Sequence, residues 1–286
     1  MAAPRWSALL VLAASLADAD PGRGQAPACR LDPLGSGHVR AVTDGRTFLL
    51  DDGREVRLAG IEVPFPAEVA AAAGPPAPSA TASSSSPAAS VADVGLEAKI
   101  ALERLILDKS VVLKGASAAD RHGRVPAQVF LGSAGLERSV QQDMLQRGLA
   151  RVAARVGEAA CAAPLLAAER EARTAKRGLW GDPRYAARQA DEPATVLAER
   201  GRFAVVEGRV LSVRESGGTV YLNFGRRWTE DFTVTIAKRN ERIFAMAGLE
   251  PKRLERLRVR VRGFVEVRGG PWIEATRPEQ IEVIGR

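Results

Sequence analysis

Apolar and β-branched residues fall into short runs at 39–42, 47–50 and 55–61, separated by the Asp-Gly pairs Asp44-Gly45 and Asp52-Gly53. Asp-Gly suits tight hairpin turns, so this spacing predicts a three-strand meander. The stretch 66–92 is dominated by Ala, Ser and Pro and offers no face to bury, which predicts a disordered surface loop. Beyond Gly95 the apolar positions Leu96, Ile100, Leu105 and Ile106 recur near helical spacing, with Glu97 and Glu103 among the opposite positions. Strands at 111–114 and 125–131 follow, then helices at 139–147 and 164–177, stopped by Gly148 and Gly178. After Asp182-Pro183 a polar, Ala-rich link runs to about Glu199. A second β-rich unit over 200–286 then shows five strand signals, at 203–214, 219–223, 232–236, 257–267 and 272–275, with a helical piece at 238–247 after the third.

The motifs HVRAVTDGRTFLLDDGREVRLAGIEVP (38–64) and ADRHGR (119–124) resemble the staphylococcal (thermo)nuclease family, and the likeness continues through GLEAKIALERLILDKSVVLKG, SVQQDMLQRGLARV and AEREARTAKRGLW. The resemblance covers 37–182 and implies an α+β fold, a five-stranded OB-fold barrel with three helices. The second unit has the strand and helix order of a smaller OB-like β-barrel. Its YLNFGRRWTEDFTVTI also resembles the C-terminal domain of exported bacterial nuclease-like proteins.

Cleaving a phosphodiester requires cations against the phosphoryl oxygens and a metal or base to deliver hydroxide. By the resemblance, Arg57 and Arg124 are the phosphate-binding, catalytic arginines, and Asp120 shapes the turn that carries Arg124. His122 stands where a tyrosine is usual. Arg46 replaces the metal-binding aspartate, Glu62 matches the second metal carboxylate, Val63 matches a carbonyl ligand and Phe65 replaces the glutamate that handles the attacking water. Calcium wants six to eight oxygens and usually several carboxylates. Glu62 beside Arg46 makes a poor calcium site, with Glu68 the nearest further carboxylate. Asp44 reads most economically as a turn former.

The chain has 286 residues and a net charge of +7. This excess suits polyanions, whether nucleic acid, phosphorylated ligands or an anionic membrane, without choosing among them, and it is equally compatible with a basic surface that has no partner. In the second unit Arg256, Arg258, Arg260 and Arg262 alternate with Leu257, Val259 and Val261, which would set a row of guanidiniums about 7 Å apart on one strand face. Such a row can follow a phosphate backbone, with Tyr221, Phe224 and Trp228 as base-stacking surface. Because Glu255 and Glu266 flank it, a solvated sheet face with core aromatics is the favoured alternative.

Residues 1–19, with Arg5, a short apolar run and Ala17-Asp18-Ala19, read as a secretory signal peptide, with cleavage after Ala28 left open. A membrane anchor would need about twenty apolar residues, so no integral membrane segment is expected in the mature chain. Periplasmic or secreted residence makes a Cys29–Cys161 disulfide the expected state of the two cysteines. The expected function is an exported protein that binds single-stranded nucleic acid or another phosphate polyanion through Arg46, Arg57, Arg124, Arg258 and Arg260, with metal-dependent hydrolysis weak or lost and no cofactor. One alternative is an active metal-dependent nuclease, with calcium as cofactor. The other is a non-catalytic envelope interaction module.

Overall fold

The computed structural model describes residues 29–64, 93–115, 119–132, 136–157, 159–227 and 229–286. The expected signal peptide and the 66–92 loop lie outside them, as do Phe65, Glu68 and Trp228.

The first domain is a closed five-strand barrel. Strands β1 (Pro33–Asp44), β2 (Thr47–Leu50) and β3 (Glu55–Leu58) form the predicted meander, and the short β4 (Ile61–Glu62) follows. Helix α1 (Val94–Ile106) leads to β5 (Ser110–Lys114) and β6 (Val125–Leu131). The order is β3-β2-β1-β5-β6, closed by parallel pairing of β3 with β6. Strand alternation sends Val39, Phe48, Leu50, Val56, Leu58, Val111, Leu113, Ala127 and Val129 into the core. Helix α1, capped by the Asp93 carboxylate on the amides of Gly95 and Leu96, adds Ala98, Leu102 and Ile106 to the same core. A side chain at Gly45 would sit 2.8 Å from the Ala98 Cβ, so the hairpin turn must be bare for the helix to close over it.

The short β7 (Arg138–Ser139) leads into helix α2 (Val140–Gln146), whose buried Gln141 binds the barrel backbone: its amide nitrogen donates to Ala127 and its oxygen accepts from the Val129 amide. Strand β8 (Arg151–Val152) pairs with β4, and helix α3 (Ala162–Thr174) completes the domain. The expected Cys29–Cys161 disulfide is present, with a Cα separation of 4.6 Å, and ties the segment ahead of β1 to the start of α3.

The second domain is all but entirely β. The polar link is ordered: it holds β9 (Arg188–Gln189) and helix α4 (Pro193–Leu197), and β9 pairs with the first long strand beyond it. The runs 203–214 and 257–267, each expected as one strand, are both broken. The first becomes β10 (Phe203–Arg209) and β11 (Ser212–Ser216), and after β12 (Thr219–Asn223), β13 (Thr233–Ala237) and helix α5 (Lys238–Met246) the second becomes β14 (Arg258–Phe264) and β15 (Glu266–Arg268). Strands β16 (Gly270–Glu274) and β17 (Ile281–Gly285) follow, the last unforeseen. Each break lets one run serve two sheets. One sheet is β17-β14-β10-β9 and the other β11-β12-β13-β16-β15, so the pairings run through β11, β12, β13, β16 and β15 and return by β14 to β10. The first barrel follows the same circuit, including a parallel pairing between its third and fifth strands.

The expected arginine stripe is corrected by the packing of β14. Arg256 lies before the strand with φ of 65°, and Arg262 is wholly buried instead of solvated. Its Nη1 donates to Glu169 Oε2 of α3 at 2.9 Å and to the Val152 carbonyl at 3.3 Å, while Nη2 pairs with Glu282. Arg260 bridges its two cross-strand neighbours, Glu207 on β10 at 2.7 Å and Glu282 on β17 at 3.7 Å. Of the three arginines on β14 itself, only Arg258 is well exposed. The face read as open to a polyanion is, at Arg262, the contact between the domains. Around it Arg151 donates to the carbonyls of Phe203 and Tyr185, and Val94, Ala172, Leu179, Trp180, Tyr185, Phe203 and Val205 form an apolar cluster drawn from both domains.

Candidate functional site

Three arginines and two carboxylates meet at the end of the first barrel where β3 and β6 run parallel. Arg46 follows the β1–β2 turn, which the Asp44 carboxylate holds by accepting from the Arg46 amide at 2.8 Å, as expected of a turn former. Arg57 lies on β3, where its register partners are Thr47 and Pro126. Arg124 enters β6 from a tight turn built on Asp120. One Asp120 oxygen accepts the amides of His122 and Arg124, and the other takes Arg124 Nε at 2.9 Å and Nη2 at 2.8 Å. Gly123, with φ of 79°, gives the turn its left-handed position. Burial pushes the Asp120 carboxyl up, but these hydrogen bonds outweigh it and hold the pKa at about 2. Asp120 therefore stays ionised and keeps Arg124 in one orientation. His122 is exposed on the same turn, its Nε2 accepting from Arg121.

Glu62 on β4 is clamped. Its Oε2 pairs with Arg46 and its Oε1 accepts from Arg57 Nη2 at 3.3 Å. Arg46 is buried and pairs with Glu62. The Arg57 guanidinium has a lowered pKa, first because it is partly buried and then because Arg46 and Arg124 repel its charge, while Glu62 and Asp120 act in the opposite sense. A guanidinium remains charged at neutral pH through such a shift. Repulsion among three cations held this close is relieved by an anion, and Arg57 uses only part of its donor fork on Glu62.

A cleft of about 680 Å³ opens on this cluster, lined by Arg57, Glu62 and Asp120 of the barrel, by Arg30 and Arg155 at its rim, and by Phe264 from the second domain. Residues 55–182 match the family model described as staphylococcal nuclease homologue. The first domain is a staphylococcal nuclease homologue domain. No curated protein matches the chain. The matched segment of this nuclease-homologue domain holds Arg57, Glu62, Asp120 and Arg124, whereas Arg46 lies ahead of it.

Nucleases of this kind imply a calcium ion, and the donor set here does not fit one. Both Glu62 oxygens already face guanidiniums, and a cation approaching them would be repelled by Arg46 and Arg57. Among the described residues no group of three or more Asp, Glu, His or Cys side chains is arranged to hold a metal. Of the sequence candidates, the structure gathers Arg46, Arg57, Glu62, Asp120 and Arg124 into one cluster. Arg258 and Arg260 belong to the second domain, where Arg260 is held by its two glutamates, and Phe224 is a core residue packed on Phe232. Sequence reading missed Phe264, exposed to 51% and stacked edge-on against Phe203. Its only signal in the chain was an aromatic at the end of a strand.

Proposed function

We propose that the protein binds single-stranded nucleic acid, or a related phosphate polyanion, in the cleft of its nuclease-homologue domain, with metal-dependent hydrolysis weak or lost. The observation that carries this reading is the clamped Glu62: the carboxylate that would hold a metal is neutralised by Arg46 and Arg57, while three guanidiniums face two carboxylates and leave a net cationic site. A phosphate group meets the unused donors of Arg57 and Arg124 as charge-assisted hydrogen bonds, and Arg46 adds long-range attraction through a partly desolvated site. Water activation has no carboxylate free to assist it among the described residues of the cluster. The Cys29–Cys161 bond supports residence in an oxidising compartment, as for a protein exported through its first residues.

Binding of a short labelled single-stranded DNA, titrated at several salt concentrations with and without calcium, tests the proposal. Affinity should fall steeply with salt as counterions are displaced, and Arg57→Ala with Arg124→Ala should weaken it by roughly 1–3 kcal/mol per arginine without loss of fold. Calcium-dependent cleavage abolished by Arg57→Ala would instead establish a working nuclease. No binding to the wild-type protein at low salt would leave a protein-interaction module.

A further inference from the structure

The second domain carries a separate surface that the cleft does not use. Alternation along β12, β13 and β16 sends Val220, Leu222, Val234, Ile236 and Ile273 into the core. The opposite face bears Ser212, Arg214, Tyr221, Asn223, Thr233, Thr235 and Trp272. Strand register arranges this face in two cross-strand rows, Arg214–Tyr221–Thr235–Glu274, whose exposed Glu274 lies beyond the cavity lining, and Ser212–Asn223–Thr233–Trp272. The face is concave, a cavity of about 920 Å³ whose edges add Arg226, Arg268 and Asp231.

Three arginines thus surround a floor of hydroxyls, one amide and two aromatic rings. Arg214 and Arg226 are exposed and make no ion pair among the described residues. Arg268 lies over the Trp272 ring and reaches Glu266 at 3.4 Å. Trp272 is fixed by donating its indole N–H to Thr235 Oγ1 at 2.6 Å, so the guanidinium rests on a rigid plane. Asp231 is already used by its own loop, where it accepts from the Arg227 amide at 2.6 Å. Tyr221, half-buried in the middle of the floor, presents a ring with no stacking partner among the described residues.

We propose that this sheet face is a second binding site for single-stranded nucleic acid, independent of the Arg57–Arg124 cluster. Phosphates lie against Arg214, Arg226 and Arg268, a base stacks on Tyr221, and Asn223 meets a base edge. Cationic edges with an aromatic floor match the alternating charge and π-surface of an unpaired strand. A protein partner would need an apolar patch, and the cavity's exposed aliphatic residue is Leu211, at its margin. The floor from β11 to β16 spans three inter-strand steps, about 14 Å, which admits more than one nucleotide.

The test uses the full chain and fluorescence anisotropy of a labelled oligothymidylate of about twelve nucleotides. In the Arg57→Ala, Arg124→Ala background binding should persist. Adding Tyr221→Ala, or Arg214→Ala with Arg226→Ala, should lower the remaining affinity by tenfold or more, and the arginine pair should also make the salt dependence shallower. Tyr221→Phe should retain binding, since stacking needs the ring and not the hydroxyl. Unchanged affinity in both the Tyr221→Ala and the paired arginine variants, with circular dichroism and melting temperature intact, overturns the second site. Complete loss of binding from Arg57→Ala, Arg124→Ala alone would also overturn it while leaving the cleft reading in place. Loss of binding only in the second-domain variants would do the reverse.

Discussion

At the scale of single residues the decisive pair is Arg46 and Glu62. Arg46 stands where the family resemblance places a carboxylate, and it also takes up Oε2 of Glu62. Arg57 then shares the same glutamate, so the cluster is self-neutralising in part and still cationic. Substituting Arg46→Asp removes one cation and sets two carboxylates side by side, and like charges so placed disfavour each other's ionised form. The variant should melt a few degrees below wild type in chelator. Millimolar calcium should restore it, since a site filled at 100 times its dissociation constant stabilises by about 2.7 kcal/mol. Wild-type protein should melt at the same temperature with and without calcium. Differential scanning calorimetry reads both arms. A variant indifferent to calcium would mean that the introduced carboxylate and Glu62 together still supply too few oxygens to hold the ion.

Among the elements, the disulfide ties the segment ahead of β1 to the start of α3. Cys29 precedes β1 and Cys161 starts α3, 132 residues apart, so the bond closes a long loop of the unfolded chain. Removing a native disulfide costs roughly 2–5 kcal/mol. Cys29→Ser with Cys161→Ser, or reduction, should therefore lower the melting temperature by about 10 °C, a loss that thermal melts with and without reductant would detect. Equal melts would mean that packing of the 29–32 segment alone holds that end of β1. The meander of β1 to β3 and the helices other than α4 were legible in the chain because hairpin glycines and helical spacing are local signals. The clustering of Arg46, Arg57, Glu62 and Arg124 was legible only through the family resemblance, since β3 and β6 pair across a long separation. The two broken strands were not legible. Glu207-Gly208, the weak strand formers of 203–214, lie inside β10, and the break instead falls at Val210–Leu211, where the partners diverge: Val210 donates to the Leu257 carbonyl and Leu211 to that of Asn223. Tertiary pairing, not local propensity, decides such a boundary.

Over the whole molecule, the two domains are joined by a buried charge network that no local pattern could reveal. An arginine alternating with valines reads as solvent-facing, yet Arg262 is buried because its partner, Glu169, comes from a helix 93 residues earlier in the chain. Glu169 is itself buried, and it accepts from the Val152 amide as well as from Arg262 and Arg173. Breaking one side of a buried pair leaves an uncompensated charge and costs about 3–5 kcal/mol. Here Glu282 still faces Arg262, so Glu169→Gln should cost on the order of 3 kcal/mol, the low end of that range. Burial pushes the Glu169 carboxyl up, but the charge of Arg262 and the hydrogen bonds from Arg262 and Val152 outweigh it, so its pKa lies below the ordinary glutamate value of 4.5. A depressed folded-state pKa means that the stabilisation is complete above the unfolded value and is lost as the pH falls below 4.5 through the folded one. Wild type and Glu169→Gln should therefore differ most at neutral pH and converge in acid, whereas the acid-induced losses from other carboxylates affect both alike. Urea unfolding midpoints taken from neutral to acid pH measure the gap. A gap that stays constant down to low pH would show that the glutamate contributes only shape and hydrogen bonds, and that its charge does not hold the domains together.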